Sequence, residues 1–386
     1  MPTSFIRTQS ARIARSLVIL AAAFGVAAAQ PPVRVPLDSK WELSGDGSRI
    51  AAYRGRQAIQ LRTGRAIRRD AVLKDGTIEF DMAVTPHRTF VYIQFRVEGD
   101  DDHEEIYFRP HKSELPDAIQ YAPVWNGDGN WQLYHGEGAT APVAFSYAGW
   151  MHVRLVLSGK RAALFVDNHA KPDLIANLAR EPVAGYISLF AFDGVGNTTG
   201  GVAAAYSNIV VRPGFIPYDF GAPSAVAAQP PGLIQRWQLS PTFNAERGLV
   251  TRLPDSLLVS KSDWPSFAVE PTGVVVIGRH VKRRAPLAAV VARVVVRAQT
   301  AGLQRLYLGY SDYVTVFVNG RPIAGGDAHY SYDAPRQEGL ITLSQSTIWL
   351  PLVAGDNEIL FAVADGFGGW GLMGRLEPVD GGQVVR

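Results

Sequence analysis

Cysteine is absent from this sequence, and methionine occurs only four times. No disulfide can staple the chain, so stability must rest on packed cores. No thiolate is available as a nucleophile or as a zinc ligand. The usual catalytic signatures are missing too. There is no GxSxG elbow, no Walker loop and no HExxH. "FDGVGN" is glycine-rich but follows no strand-to-helix pattern, which removes a dinucleotide reading. Long amphipathic helical patterns are nearly absent; only "KPDLIANLAR" has a helical look, and it is short. No apolar run reaches the roughly 20 residues that a membrane helix needs.

The longest apolar run lies near the N-terminus. "MPTSFIRTQSARIAR" is basic, "SLVILAAAFGVAAA" is apolar, and Ala27-Ala28-Ala29 precedes a break at Gln30 and two prolines. This layout predicts a secretory signal peptide over residues 1–29. The alternative is an uncleaved N-terminal anchor. A bacterial lipoprotein would need a cysteine after the cleavage site. The expected location is secreted, periplasmic or extracellular, with no integral membrane segment after cleavage. The leader also holds Arg7, Arg12 and Arg15 and no acid, so its removal leaves 35 basic against 35 acidic residues. A mature chain so near neutrality argues against a nucleic-acid partner.

What is present is strand signal. Runs of Val, Ile, Phe and Tyr are broken by Gly, Asn, Asp and Pro throughout. "GTIEFDMAV", "TFVYIQFRV", "RVVVRAQ" and "NEILFAVA" are such runs. "HVRLVLSGKRAALFVDN" reads as a hairpin turned at Ser158-Gly159-Lys160, and "DYVTVFVNGRPI" as one turned at Asn319-Gly320. The expected fold class is all-β, with two antiparallel β-sandwich (jelly-roll) domains in tandem. Residues 30–212 form the first and 233–386 the second. Residues 213–232, with five prolines, form the linker.

The order of features from about Trp41 to Val211 resembles a concanavalin A-like lectin/glucanase (laminin-G-like) domain. "AVLKDGTIEFDMAV", "IYFRPH" followed by "WQLYH", and "WMHVRLVLSGKRAALFVD" followed by "GYISLFAF" carry the resemblance. It implies two curved sheets whose concave face often binds carbohydrate. The family's glucanases use a Glu-x-Asp-x-x-Glu strand. Here Glu79 and Asp81 fill the first two places, and Val84 stands where the second catalytic acid belongs. From about Gly232, "LYLGYSDYVTVFVNGRPI", "LPLVAGDNEILFAV" and "GFGGWG" resemble a galactose-binding-like jelly roll. That resemblance implies a ligand site in end loops, which here include Asp312, Tyr313 and the Asp365–Trp370 turn.

The stretch from Glu104 to His135 is crowded with groups that stack on sugar rings or fork hydrogen bonds to hydroxyls. In "EEIYFRPH", Glu105, Tyr107 and Arg109 alternate with Ile106 and Phe108. The expected ligand-binding set is Glu105, Tyr107, Arg109, His111, Gln120, Asn126, Gln132 and Tyr134, with Trp370 as a platform in the second domain. The competing reading is internal satisfaction, with Arg109 paired to Glu105 or Asp117 and the tryptophans in the core. No catalytic residue is assigned, and no cofactor is expected. Calcium is the one ion the loops suggest. "NGDGNWQLYHGE" sets Asn126, Asp128, Asn130 and Glu137 on a calcium-loop template but has Trp131 where the template needs Gly. "GDDDHEE" is an acidic run of the kind that is usually a solvated loop. Asn197-Thr198-Thr199 is a glycosylation sequon.

These features point to a secreted carbohydrate-binding or carbohydrate-associated protein whose partner is an oligo- or polysaccharide. The alternatives are a glycoside hydrolase-like enzyme, including the 3-keto-disaccharide type, with an unusual acid pair such as Glu105 with Glu79 or Asp81, and a structural or protein-interaction module.

Overall fold

The structure is a computed structural model. It describes residues 33–99, 101–194, 201–222, 228–246, 248–333, 337–378 and the backbone of 383–384. The predicted signal peptide and the Asn197 sequon lie outside the described residues.

Among the described residues the regular structure is nearly all antiparallel strand, built into four sheets. Strands between Val33 and Pro213 make the first pair. One sheet runs in the order Leu174–Asn177, Arg161–Val166, Met151–Ser158, Gly76–Val84, Ala204–Pro213, Arg56–Leu61, Arg49–Tyr53. The other runs Asp128–Gly129, Ile119–Trp125, Asp102–Phe108, Thr89–Gly99, Gly185–Asp193, Thr63–Leu73, Glu42–Asp46. Alternation explains the fit. Ile78, Phe80 and Met82 from the first sheet meet Val91, Ile93, Phe95, Ile106 and Phe108 from the second in one buried core.

A second pair follows from Arg236 onward. Its larger sheet centres on Ala288–Ala298, Gly355–Asp365 and Tyr313–Val318; its smaller one on Gly371–Leu376 and Gly302–Ser311. Trp237, Val290, Val316, Phe361 and Trp370 fill the space between them. Both predicted hairpins form. Ser158 pairs with Arg161 across Gly159-Lys160. Val318 pairs with Arg321 across Asn319 and Gly320, whose φ values of 48° and 80° suit a two-residue primed turn.

"KPDLIANLAR" is not a helix. Leu174–Asn177 is an edge strand on Arg161–Val166, with Leu174 and Ala176 buried and Ile175 and Asn177 exposed. A ten-residue helix is costly to nucleate, whereas the neighbouring strand offers a ready ladder. The segment read as linker is also partly docked. Tyr218 and Phe220 pack against Val156 and Phe165 on the outer face of the first sheet, and Arg161 donates to the Gly221 carbonyl at 2.9 Å. Among the described residues, no helix is long and apolar enough to cross a membrane.

Candidate functional site

The polar stretch from Glu104 to His135 lies on and beside the outer face of the second sheet. The part of that face beside strand Ile119–Trp125 is covered by the chain's own segment from Asp128 to Tyr134, and that segment in turn meets the second sheet pair at a seam. Tyr107 donates to Gln120 Oε1 at 2.6 Å, and Arg109 donates to the Tyr107 hydroxyl at 2.6 Å. Arg109 also pairs with Asp117 at 2.9 Å. Gln120 Nε2 donates to the Trp131 and Tyr134 carbonyls at 2.7 and 2.6 Å. All three side chains are buried, and each has its partners, which is what burial requires of polar groups. Of the alternatives open in the sequence for Arg109, the Asp117 pairing forms.

The rest of the stretch crosses the seam. Gln132 donates to the Glu338 carbonyl at 3.0 Å and accepts from Ser311 Oγ at 2.7 Å. The Tyr134 hydroxyl donates to Glu270 at 2.5 Å. Asn126 Nδ2 donates to the Gly278 carbonyl at 2.9 Å. Val274, Val276, Ile341 and Met373 join Leu133 and Tyr134 in the first pair's apolar cluster. Trp370 is fully buried in the second pair and donates to the Val363 carbonyl at 3.1 Å, so it offers no open stacking surface. The glycines of "GFGGWG" have a packing reason. A Cβ on Gly368 would stand 2.5 Å from Gln132 Oε1, and Gly368 has a φ of 96°.

The rest of the same face is partly exposed. Strands Thr89–Gly99 and Gly185–Asp193 are neighbours, with Phe90 opposite Phe192, Tyr92 opposite Phe190 and Gln94 opposite Ser188. These residues share the outer face because Val91, Ile93, Ile187 and Leu189 take the core. Tyr92 and Phe190 have ring centroids 5.0 Å apart; Phe90 and Phe192 are 6.1 Å apart. Phe192 is 36 % exposed, and Phe90, Tyr92 and Phe190 are partly exposed. Tyr107 stacks on Tyr92 at 5.0 Å and closes the platform on the seam side. Arg65 lies over Phe190, 5.6 Å from its centroid.

The floor beside these rings is polar. Gln94 donates to Glu105 Oε2 at 3.0 Å, His103 stands 3.4 Å from the same oxygen, and the Ser188 hydroxyl is buried without a partner. His111, in the turn Pro110–Lys112, packs its ring 5.3 Å from Phe90. Its pKa is lowered to about 4, first by burial and then by Arg88, Lys112 and Arg109. Chemically, this is an aromatic shelf with an amide, a carboxylate and a hydroxyl at its base. The expected set includes Glu105 and Tyr107 of this site but omits Phe90, Tyr92, Phe190 and Phe192. Alternation in "TFVYIQFRV" and "GYISLFAF" shows aromatics on one face of each strand, which is the signal that could have found them.

The other candidate clusters resolve as follows. Glu79 and Asp81 lie on the outer face of the opposite sheet, so neither can pair with Glu105 across the sandwich. Asp81 takes His152 Nδ1 at 2.9 Å and Asn208 at 2.6 Å, and also Arg56. These partners hold its pKa below the usual range against the opposing effect of burial. Val84, at the second acid's place, points into the core. In the calcium-loop template Asp128 pairs with Arg283, and Asn130 donates to the Pro123 and Asp128 carbonyls at 3.1 and 2.8 Å. In the acidic run Asp101 pairs with Lys282, Asp102 with Arg180, and Glu104 accepts from Tyr121. An open cleft there is lined by Glu98, Gly99, Asp101, Asp102 and Arg180. Among the described residues no three His, Cys, Asp or Glu side chains gather as a metal site.

No family model matches the chain. No curated protein matches it either. Solved structures with some likeness include a carbohydrate-binding module from Bacillus subtilis, at 14 % identity and a TM-score of 0.32, covering 44 % of this chain and 93 % of that one. The β-glucanase of Bacillus licheniformis has 14 % identity and a TM-score of 0.33, covering 46 % and 94 %. A β-1,3-1,4-glucanase derived from a mouse hindgut metagenome has 16 % identity and a TM-score of 0.34, covering 48 % and 98 %. At these values the likenesses decide neither a ligand nor a reaction for this chain.

Proposed function

We propose that this is a secreted carbohydrate-binding protein, and that it holds its ligand on the aromatic part of the second sheet's outer face. The observation that carries this reading is the set of four aromatic rings, Phe90, Tyr92, Phe190 and Phe192, paired across two neighbouring strands, with Phe192 exposed and the other three partly exposed. Apolar C–H faces of pyranose rings stack on such a shelf, which the buried Gln94–Glu105 pair underlies. Hydrolysis by a carboxylate pair is not part of the proposal. The sheet neighbours of Glu105 on this face are Gln94, His103, Tyr107 and Ala122, none of them a second carboxylate.

The test is affinity electrophoresis of the full chain in gels containing a panel of polysaccharides. Tyr92→Ala and Phe190→Ala are each expected to weaken binding about threefold to tenfold, at ~0.5–1.5 kcal/mol per aromatic contact. Glu79→Gln, on the opposite sheet, should leave it unchanged. Binding that survives both aromatic losses and disappears with Glu79→Gln would move the ligand to the other sheet and end this reading.

A further inference from the structure

The aromatic shelf does not end at Phe90. Arg88, just before the strand Thr89–Gly99, has its guanidinium carbon 5.4 Å from the Phe90 centroid and 4.4 Å from the Tyr332 centroid. It also donates to the Tyr330 hydroxyl at 2.7 Å. Tyr330 belongs to a further aromatic cluster at the junction of the two sheet pairs. Trp131 lies 5.6 Å from Tyr330 and 6.2 Å from Phe367, and Tyr330 lies 6.0 Å from Phe367. Phe367 is 59 % exposed and Tyr332 49 %. A band of rings therefore runs from Phe190 and Tyr92, past Arg88, onto the second sheet pair.

Charges of both signs lie near this band, with Asp193 opposite Thr89 in the ladder and Glu105 bonded to Gln94. Among the described residues Arg88 has no carboxylate within ion-pair distance; its partners are a hydroxyl and two ring faces. Arg109 and Lys112 nearby are already matched by Asp117 and Glu338. His111 packs its ring 5.3 Å from the same Phe90. A partly buried guanidinium flanked by aromatic faces is poised for bidentate pairing with an acidic group.

We propose that the ligand is a linear acidic polysaccharide, uronate-bearing or sulfated, that lies along both aromatic clusters with an acidic group on Arg88. This rests on the carbohydrate reading above and names its substrate class. Arg88 lies over Phe90, so a sugar ring stacked on neighbouring Phe192 carries its carboxylate or sulfate toward Arg88. A ligand of several residues is required because the second cluster lies on the other sheet pair.

The experiment titrates the full chain with a polyuronate, a sulfated glycan, a neutral β-glucan and a single-stranded oligonucleotide, each in short and long forms. The acidic glycans should bind at least tenfold tighter than the neutral glucan of equal length, with a margin that shrinks as salt rises. Arg88→Gln should reduce acidic-glycan affinity about tenfold, and Arg88→Lys should restore part of it. Phe367→Ala should weaken long oligomers more than short ones. Equal or tighter binding of the neutral glucan overturns the acidic ligand but leaves the carbohydrate reading standing. Preference for the oligonucleotide overturns the ligand class. Failure of every glycan to bind a folded wild-type chain overturns both.

Discussion

Arg283→Met is expected to lower the free energy of unfolding by about 3 kcal/mol, near the low end for breaking a buried ion pair. Arg283 reaches across the seam from the second sheet pair to Asp128 in the first. It also donates to the Gly366 carbonyl and stands 3.7 Å from Asp365. Asp128 and Asp365 are both buried, and neither Asp365 oxygen has a hydrogen-bond partner. Burial and the neighbouring Asp312 push the Asp365 pKa well up. Asp312 itself is anchored by the Gly366 and Phe367 amides at 2.9 and 3.2 Å. One guanidinium thus serves two acids, Asp128 and Asp365, and an apolar replacement leaves Asp128 without its cation. Urea unfolding of Arg283→Met, Asp128→Asn and the double variant measures this. The double variant should recover part of the loss, giving a coupling of more than about 1 kcal/mol. A single variant within about 0.5 kcal/mol of wild type would mean that this pairing is not what closes the seam.

The second large effect is acid lability between pH 6.5 and 4. His111 and His280 both have pKa values lowered to about 4. Burial is the main cause in each, followed for His280 by Arg279; the His280 ring also stacks on Phe267 at 3.9 Å. The unfolded chain takes up these protons near pH 6.5, while the folded chain resists until about pH 4. Their stabilisation is therefore complete above pH 6.5 and is lost as pH falls through the window, by up to about 3 kcal/mol for each ring. Glu104 works in the opposite direction. Burial raises its pKa to about 6, so the folded form holds a proton that the unfolded form has released. Its effect is a gain of about 2 kcal/mol as pH falls from 6 to 4.5. These three groups together give a loss of about 4 kcal/mol on acidification, and the buried acids with raised pKa values, Asp365 among them, oppose it in the direction of Glu104. Urea midpoints at pH 7, 5.5 and 4.5 read it directly. In the His111→Gln, His280→Gln double variant the decline should flatten or reverse, leaving Glu104 and the other buried acids dominant. An unchanged decline in that variant would refute the assignment.

Much of the architecture is legible from local pattern. Apolar alternation at Ile78, Phe80 and Met82 places them in a core because successive strand side chains face opposite ways. Asn319-Gly320 specifies its hairpin because both residues tolerate positive φ. The same alternation shows that Glu105, Tyr107 and Arg109 share a face. It mistakes "KPDLIANLAR" because a short segment takes its conformation from its neighbour, here the strand Arg161–Val166.

The face that meets solvent is a different kind of question. Buried Glu105, Tyr107 and Gln120 and partly exposed Phe90, Tyr92 and Phe190 belong to one sheet face and look alike in sequence. Gln132 meets Glu338, and Asn126 meets Gly278, across separations of 206 and 152 residues. Alternation is a property of the backbone at each residue, so the sequence alone determined the strands, the turns and which side chains lie together. Covering part of that face falls to the segment around Trp131 and Tyr134, itself held by distant residues such as Glu338 and Gly278, and only the tertiary structure decided which aromatics remain partly exposed.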